Sequence, residues 1–261
     1  MEIKIYQIDA FADHTFEGNP AAVCPLNEWV SDELLQKIAE ENNLSETAFF
    51  VAEDNGYSLR WFTPEDEVDL CGHATLAAAH VLFQHLGYVK ESILFYTKSG
   101  TLQVGRSGSG YSMSFPASDI KPIDTPTELK EALGVIPTKT LVAFDYIVVL
   151  DSESQVKALT PDFVKLQALD LRGVVVTAPG EEVDFVSRCF FPKLRVNEDP
   201  VTGSAHCEIA PYWARKLSRN KLVGKQLSQR TGIVQCEVIG DRVMLLGNAV
   251  DYMSGIITIK T

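Results

Sequence analysis

Three side chains of this 261-residue chain have the type and setting to move a proton: Glu46, His73 and Asp199. Glu46 stands where a polar stretch, residues 42–45, enters an apolar run at 47–52. A carboxylate beside Ala48, Phe49 and Phe50 is partly desolvated, and desolvation favours a general base that works near neutral pH. The plain alternative is a loop glutamate bonded to its own backbone. His73 follows Gly72 at what reads as a helix start, where an imidazole could relay or donate a proton; a satisfied structural histidine would look the same. Asp199 precedes Pro200, which biases the residue before it toward extended backbone and so aims its carboxylate. A helix-entry acid favoured by the dipole is the other reading.

Cys71 sits at the same helix start, where a thiol's pKa should fall. Two-thiol racemase chemistry would need a second cysteine before the matching glycine, and Thr202 stands there instead, so Cys71 reads as a relic or a packing residue. His80 and His85 lie farther along the helix without the H-x-x-x-H spacing of a zinc site, and read as packing residues. The five cysteines include no C-x-x-C pair, so neither a metal centre nor a disulfide framework is expected.

The segments that must position these groups occur twice. Arg60, Phe62 and Pro64 form an R-x-F-x-P run, and Arg188, Phe190 and Pro192 repeat it about half a chain later. An acidic loop follows each, then a glycine (Gly72, Gly203) and a helix. Recurrence in this order implies duplicated halves. Each helix start leaves N–H groups unpaired and partly positive, and a glycine there lets an anion approach the backbone. Sliding one half onto the other puts Arg172, Gly173 or Val174 opposite Glu46, so the duplication is broken at the acid.

Strands are expected at 3–11, 21–26, 47–52 and 58–62, with a turn at Asn55-Gly56, and a helix from the cap Ser31 to about 41. The helix after Gly72 is apolar nearly all round, hence buried, and short strands at 101–104 and 111–115 follow it. Residues 117–126 read as a linker, with Thr125 capping a helix that has Pro126 at its first position and ends at Gly134. Strands at 141–150, 173–177 and 183–191, a short helix at 161–169, a helix at 203–217 kinked by Pro211, and strands at 233–239, 242–246 and 256–259 complete the chain. The expected fold class is α+β, in two similar domains, 1–116 and 117–261, each a β-barrel around a central helix.

A formal net charge of −12 argues against nucleic acid or an anionic membrane as partner, since both require Lys and Arg to neutralise phosphates. No apolar run approaches the ~20 residues of a membrane span, and residues 1–6 alternate like a strand, unlike a signal peptide. A cytoplasmic protein is expected, with a small anionic metabolite as substrate.

Four ordered motifs carry a resemblance: Asp9 to Phe11 with Gly18 to Pro20, Asn43 to Thr47, Asp69 to Ala74, and Glu198 to Ala205. In these the chain resembles the phenazine-biosynthesis PhzF-like family, within the diaminopimelate-epimerase fold, over essentially its whole length. The resemblance implies two similar barrel domains with the active site between them, and a homodimer. It places the family's catalytic groups on Glu46, His73 and Asp199, and its substrate-binding donors on Gly72, Gly203 and Ser204. It further implies a cofactor-independent isomerase that shifts a proton between carbons, as the phenazine enzyme does on trans-2,3-dihydro-3-hydroxyanthranilate. A non-catalytic binding or interaction module on the same fold is the alternative, and a two-base epimerase ranks third.

Overall fold

The computed structural model describes residues 1–260, which divide into two compact units. One is Met1–Ser114 with the chain from Leu246 onward, the other Phe115–Leu245. The expected second domain, 117–261, is therefore corrected at its end. Strand Ala249–Thr258 pairs antiparallel with the whole of Glu2–Ala10 and so belongs to the first unit. Without that partner, one edge of Glu2–Ala10 would be open, and an open edge invites pairing with another chain.

In the first unit a mixed sheet wraps the helix Gly72–Gln84. From Ala249–Thr258 the ladder runs through Glu2–Ala10, Asn19–Leu26, Glu46–Glu53, Gly56–Phe62, Ser92–Thr97 and Gly100–Ser107 to Gly110–Pro116. Every residue from His73 to Phe83 is buried, which is why the helix needs no polar face. The sheet's outer face is covered by helix Asp32–Asn42, capped by Ser31 and closed by Asn43 in the left-handed conformation. Side chains alternate accordingly: Ala22 and Cys24 join Leu35 and Ile38 in that outer cluster.

The second unit repeats the plan. Strands Lys139–Val142, Tyr146–Val149, Val174–Pro179, Phe185–Phe191, Lys221–Gln226 and Gly232–Ile239 follow one another round helix Gly203–Leu217. From first pair to last they run antiparallel, parallel, antiparallel, parallel, antiparallel, as do the matching five pairs of the first unit. Helices Thr127–Leu133, Glu153–Lys157 and Phe163–Gln167 cover its outer face. Both units are β-barrels around a central helix, and the class is α+β.

The R-x-F-x-P repeat has a structural reason. Arg60 grips Glu67 through Nε–Oε1 (2.7 Å) and Nη2–Oε2 (2.8 Å), and Arg188 grips Glu198 through the same atoms at 2.7 and 2.9 Å. Each guanidinium also lies over the ring two residues on, Phe62 or Phe190. These two-pronged clamps tie each strand to the short strand (Glu67–Val68, Val196–Asp199) that leads to the central helix.

Local expectations differ in instructive ways. The hairpin turn is Asp54-Asn55, and Gly56 already pairs with Glu53; its glycine is required because a Cβ would meet the Leu94 carbonyl oxygen at 2.3 Å. Thr125 does not cap the following helix: Pro126 is the N-cap residue, and the Thr125 hydroxyl bonds Thr140 Oγ1 at 2.7 Å. The run 141–150 is a hairpin rather than one strand, with Asp145 in its turn region. No helix among the described residues is long and apolar enough to cross a membrane.

Candidate active site

Glu46 opens its strand, and Gly72 and His73 open the central helix of the same unit. The two side chains meet: His73 Nε2 is 2.9 Å from Glu46 Oε2, with 7% of the imidazole and 18% of the carboxylate side chain exposed. That Glu46 oxygen is buried yet has no aligned hydrogen bond, so the contact is electrostatic and the oxygen's acceptor capacity is unspent. Burial works against an imidazolium, but the Cys71 sulfur and the Glu46 carboxylate, both facing the ring as acceptors, outweigh it and hold His73 well above its ordinary pKa. An acceptor oxygen thus lies beside a ring that retains its proton.

Cys71 is the third member of this cluster, its sulfur 3.5 Å from His73 Nδ1. The expected fall in its pKa does not occur. Burial first, then the Glu46 charge, push the thiol up to about 11, and these outweigh the helix start.

In the second unit Asp199 ends the short strand before the helix, and Thr202 precedes Gly203. Thr202 Oγ1 donates to Asp199 Oδ2 at 2.5 Å, while Gln226 ties down the same turn by accepting from Thr202 N (2.9 Å) and donating to the Asp199 carbonyl (2.7 Å). The carboxylate is held by the Thr202 hydroxyl, and the turn by Gln226, a partner no local motif announces. A Cβ on Gly203 would meet only Leu245 Cδ1, at 3.4 Å, so the protein's own packing hardly requires a glycine there. A ligand's close approach to the backbone would require one.

Ser204 is exposed, and its hydroxyl oxygen accepts from Arg172 Nη2 at 3.2 Å. Arg172 is in turn locked onto fully buried Asp145 through Nε–Oδ1 (3.0 Å) and Nη2–Oδ2 (2.5 Å). Behind them lies Glu208, also buried, with neither carboxyl oxygen hydrogen-bonded. Burial, then the charge of Asp145, raise Glu208 well above the carboxylate range, so it stays protonated and Arg172 answers a single negative charge. Asp145 and Glu208 are far apart in sequence and share no motif; the one signal pointing to them is Arg172, which falls beside the position that matches Glu46.

Two barrels, each wrapped around a central helix that a clamped short strand leads into, define the α+β class of the diaminopimelate-epimerase fold. The model of the phenazine biosynthesis-like protein family (PhzC-PhzF) matches residues 8–255, and the chain belongs to that family. A Pseudomonas aeruginosa protein named as an uncharacterized isomerase is 54% identical over 255 residues, covering 98% of both chains. The crystal structure of a PhzF-family protein from Enterococcus faecalis is 47% identical with a TM-score of 0.97, covering 99% of this chain and 100% of its own. A hydroxyproline epimerase from Agrobacterium vitis, 10% identical with a TM-score of 0.60 over 98% of this chain and 92% of its own, shares the fold alone.

Proposed function

We propose that the protein is an isomerase that moves a carbon-bound proton on a small anionic metabolite, using its own side chains as acid and base. The observation that carries this reading is the 2.9 Å approach of His73 Nε2 to a buried, otherwise unsatisfied Glu46 oxygen. In the proposed reaction Glu46 takes a proton from one substrate carbon, the electron pair moves into the adjacent π system, and the double bond migrates. A proton is then delivered to another carbon with help from His73 and Asp199, so substrate and product have the same composition. The backbone at Gly72 and Gly203 and the Ser204 hydroxyl hold the anionic group, with Arg172 polarising that hydroxyl as a donor. No step calls on a cofactor or a metal. The proposal includes a homodimer in the cytoplasm, which light scattering and fractionation check.

Two-thiol racemisation is disfavoured by the residues themselves. Cys71 is held as a neutral thiol, its counterpart is Thr202, and Cys189 beside Thr202 is fully buried with its pKa raised well above the usual thiol range by burial. The test is an unbiased metabolite screen in deuterated water, followed by mass spectrometry. The expected result is a carboxylate- or phosphate-bearing compound that gains deuterium only in the presence of the protein. Specific retention of a compound without any exchange would instead support a binding module.

A further inference from the structure

We propose that His80, His85 and Asp251 form a site for a divalent first-row metal of the zinc type, separate from the Glu46 cluster. The spacing of the two histidines does not reveal it, because the third ligand is supplied by a strand far away in sequence. His85 is the C-cap residue of the first central helix and His80 lies just over one turn before it. The returning strand Ala249–Thr258 pairs Asp251 with Ile8, which brings its carboxylate to the helix end. Asp251 Oδ1 is 2.7 Å from His85 Nε2 and 3.4 Å from His80 Nε2, and the three donor atoms all lie within 4.8 Å of one another.

A hydrogen bond between His85 and Asp251 explains two of the three groups but leaves His80 unexplained. Its side chain is 8% exposed, and Nε2, aimed at the same carboxylate oxygen, is buried with no hydrogen-bond partner. The other ring nitrogen is 3.0 Å from the Tyr111 hydroxyl, which can accept from Nδ1–H and so fix Nε2 as the ligand atom. The second imidazole is held by stacking on Tyr6, with ring centroids 4.7 Å apart. Donors ~2.1 Å from a tetrahedral ion stand ~3.4 Å apart, the separation Asp251 Oδ1 already keeps from His80 Nε2, while its 2.7 Å contact with His85 Nε2 would lengthen on binding.

Two imidazoles and one carboxylate suit zinc and its neighbours, whereas magnesium and calcium prefer all-oxygen shells. The ion would join the end of the buried helix to the strand that returns to this unit, and its binding would add to the unit's stability. The inference is independent of the isomerase reading, since none of its ligands takes part in the proposed reaction.

Titration of the chelator-stripped full chain with Zn²⁺ by calorimetry, and with Co²⁺ by absorption, tests it. One equivalent is expected to bind and to raise the melting temperature. Asp251→Asn and His85→Gln, both surface changes, should weaken binding at least ~100-fold and abolish the thermal shift, and Tyr111→Phe should weaken it ~10-fold. Absence of stoichiometric binding overturns the proposal. So does binding unchanged in Asp251→Asn and His85→Gln, or a thiolate-to-cobalt charge-transfer band, which would put the ion on Glu46, Cys71 and His73.

Discussion

Thr47 and Val174 occupy the same place in the two sheets, paired respectively with Phe62 and Phe190 of the repeated R-x-F strands. The residue before each is Glu46 in one unit and Gly173 in the other. At the central helices the matching positions hold Cys71 and His73 in the first unit and Thr202 and Ser204 in the second. Scaffold features survive the duplication: both Arg–Glu clamps, and a side chain four residues into each helix that returns to the preceding carbonyl, Thr75 to Cys71 (2.5 Å) and His206 to Thr202 (2.8 Å). What diverged is the chemistry at the helix starts. One presents a carboxylate and an imidazole, the other a serine backed by an arginine. The topology can therefore be kept constant while the groups it displays are changed, and the two units serve as each other's control.

The largest effect should come from erasing the first unit's distinguishing acid. Glu46→Gln keeps the side chain's size but cannot accept the proton, and loss of a positioned general base costs ~10²–10⁴ in rate. Ligand retention and the far-ultraviolet spectrum should match wild type. Turnover within tenfold of wild type would remove Glu46 from the mechanism and the asymmetry would lose its meaning.

The converse change, giving the second unit a side chain where the first has its acid, should fail for steric reasons. A Cβ at Gly173 would lie 2.2 Å from Phe191 Cδ1 and 2.6 Å from the Phe190 carbonyl oxygen. Gly173→Ala is expected to destabilise by ~1–3 kcal/mol, the usual range for overpacking. Urea denaturation reads this directly, and a neutral result would mean that Phe191 yields and that packing does not explain the missing acid.

The same contrast separates what is legible in the sequence from what is not. The R-x-F-x-P repeat is legible because the clamp it builds is local, with Arg60 and Glu67, or Arg188 and Glu198, only a few residues apart. The burial of the first central helix is legible because its apolar residues leave no polar face. By contrast, Asp145, Arg172 and Glu208 come from three separate stretches of the chain and carry no shared spacing. The return of the last strand, and with it the meeting of Asp251 with His80 and His85, depends on pairing across most of the chain. For the Cys71 thiol the sequence points the wrong way, because a helix start and burial pull its pKa in opposite directions and only the folded structure shows how dry the site is.

A smaller effect concerns the proton on His73. Its pKa is raised in the folded state, so its contribution to stability is fully present below the unfolded value of ~6.5 and is lost as pH rises through the folded value. Each pH unit that separates the folded from the unfolded value is worth ~1.4 kcal/mol. Glu46→Gln removes one source of the elevation. The stability gap between wild type and Glu46→Gln should therefore narrow as pH rises, and the His73 ring should titrate above ~6.5 in wild-type NMR spectra and lower in the variant. A wild-type midpoint at or below ~6.5 would show that burial, not the carboxylate, governs the ring.

The smallest effect is expected at the residue most tempting to call a catalyst. Cys71 lies 3.5 Å from His73 and at the helix start where related chemistry would use a thiolate, yet burial and Glu46 hold it protonated at any pH compatible with turnover. A neutral thiol so placed can pack against the imidazole and accept or donate a weak hydrogen bond, and a serine hydroxyl does both at slightly shorter reach. Cys71→Ser should accordingly change turnover by less than ~10-fold, no more than ~1.4 kcal/mol in the reaction barrier. Thr202→Cys, which supplies the second unit with the thiol it lacks, should likewise create no racemase activity, since the first thiol is not ionised. If Cys71→Ser were dead while Glu46→Gln stayed active, the roles would reverse: the thiol would be the base, and the carboxylate would serve only to tune the imidazole beside it.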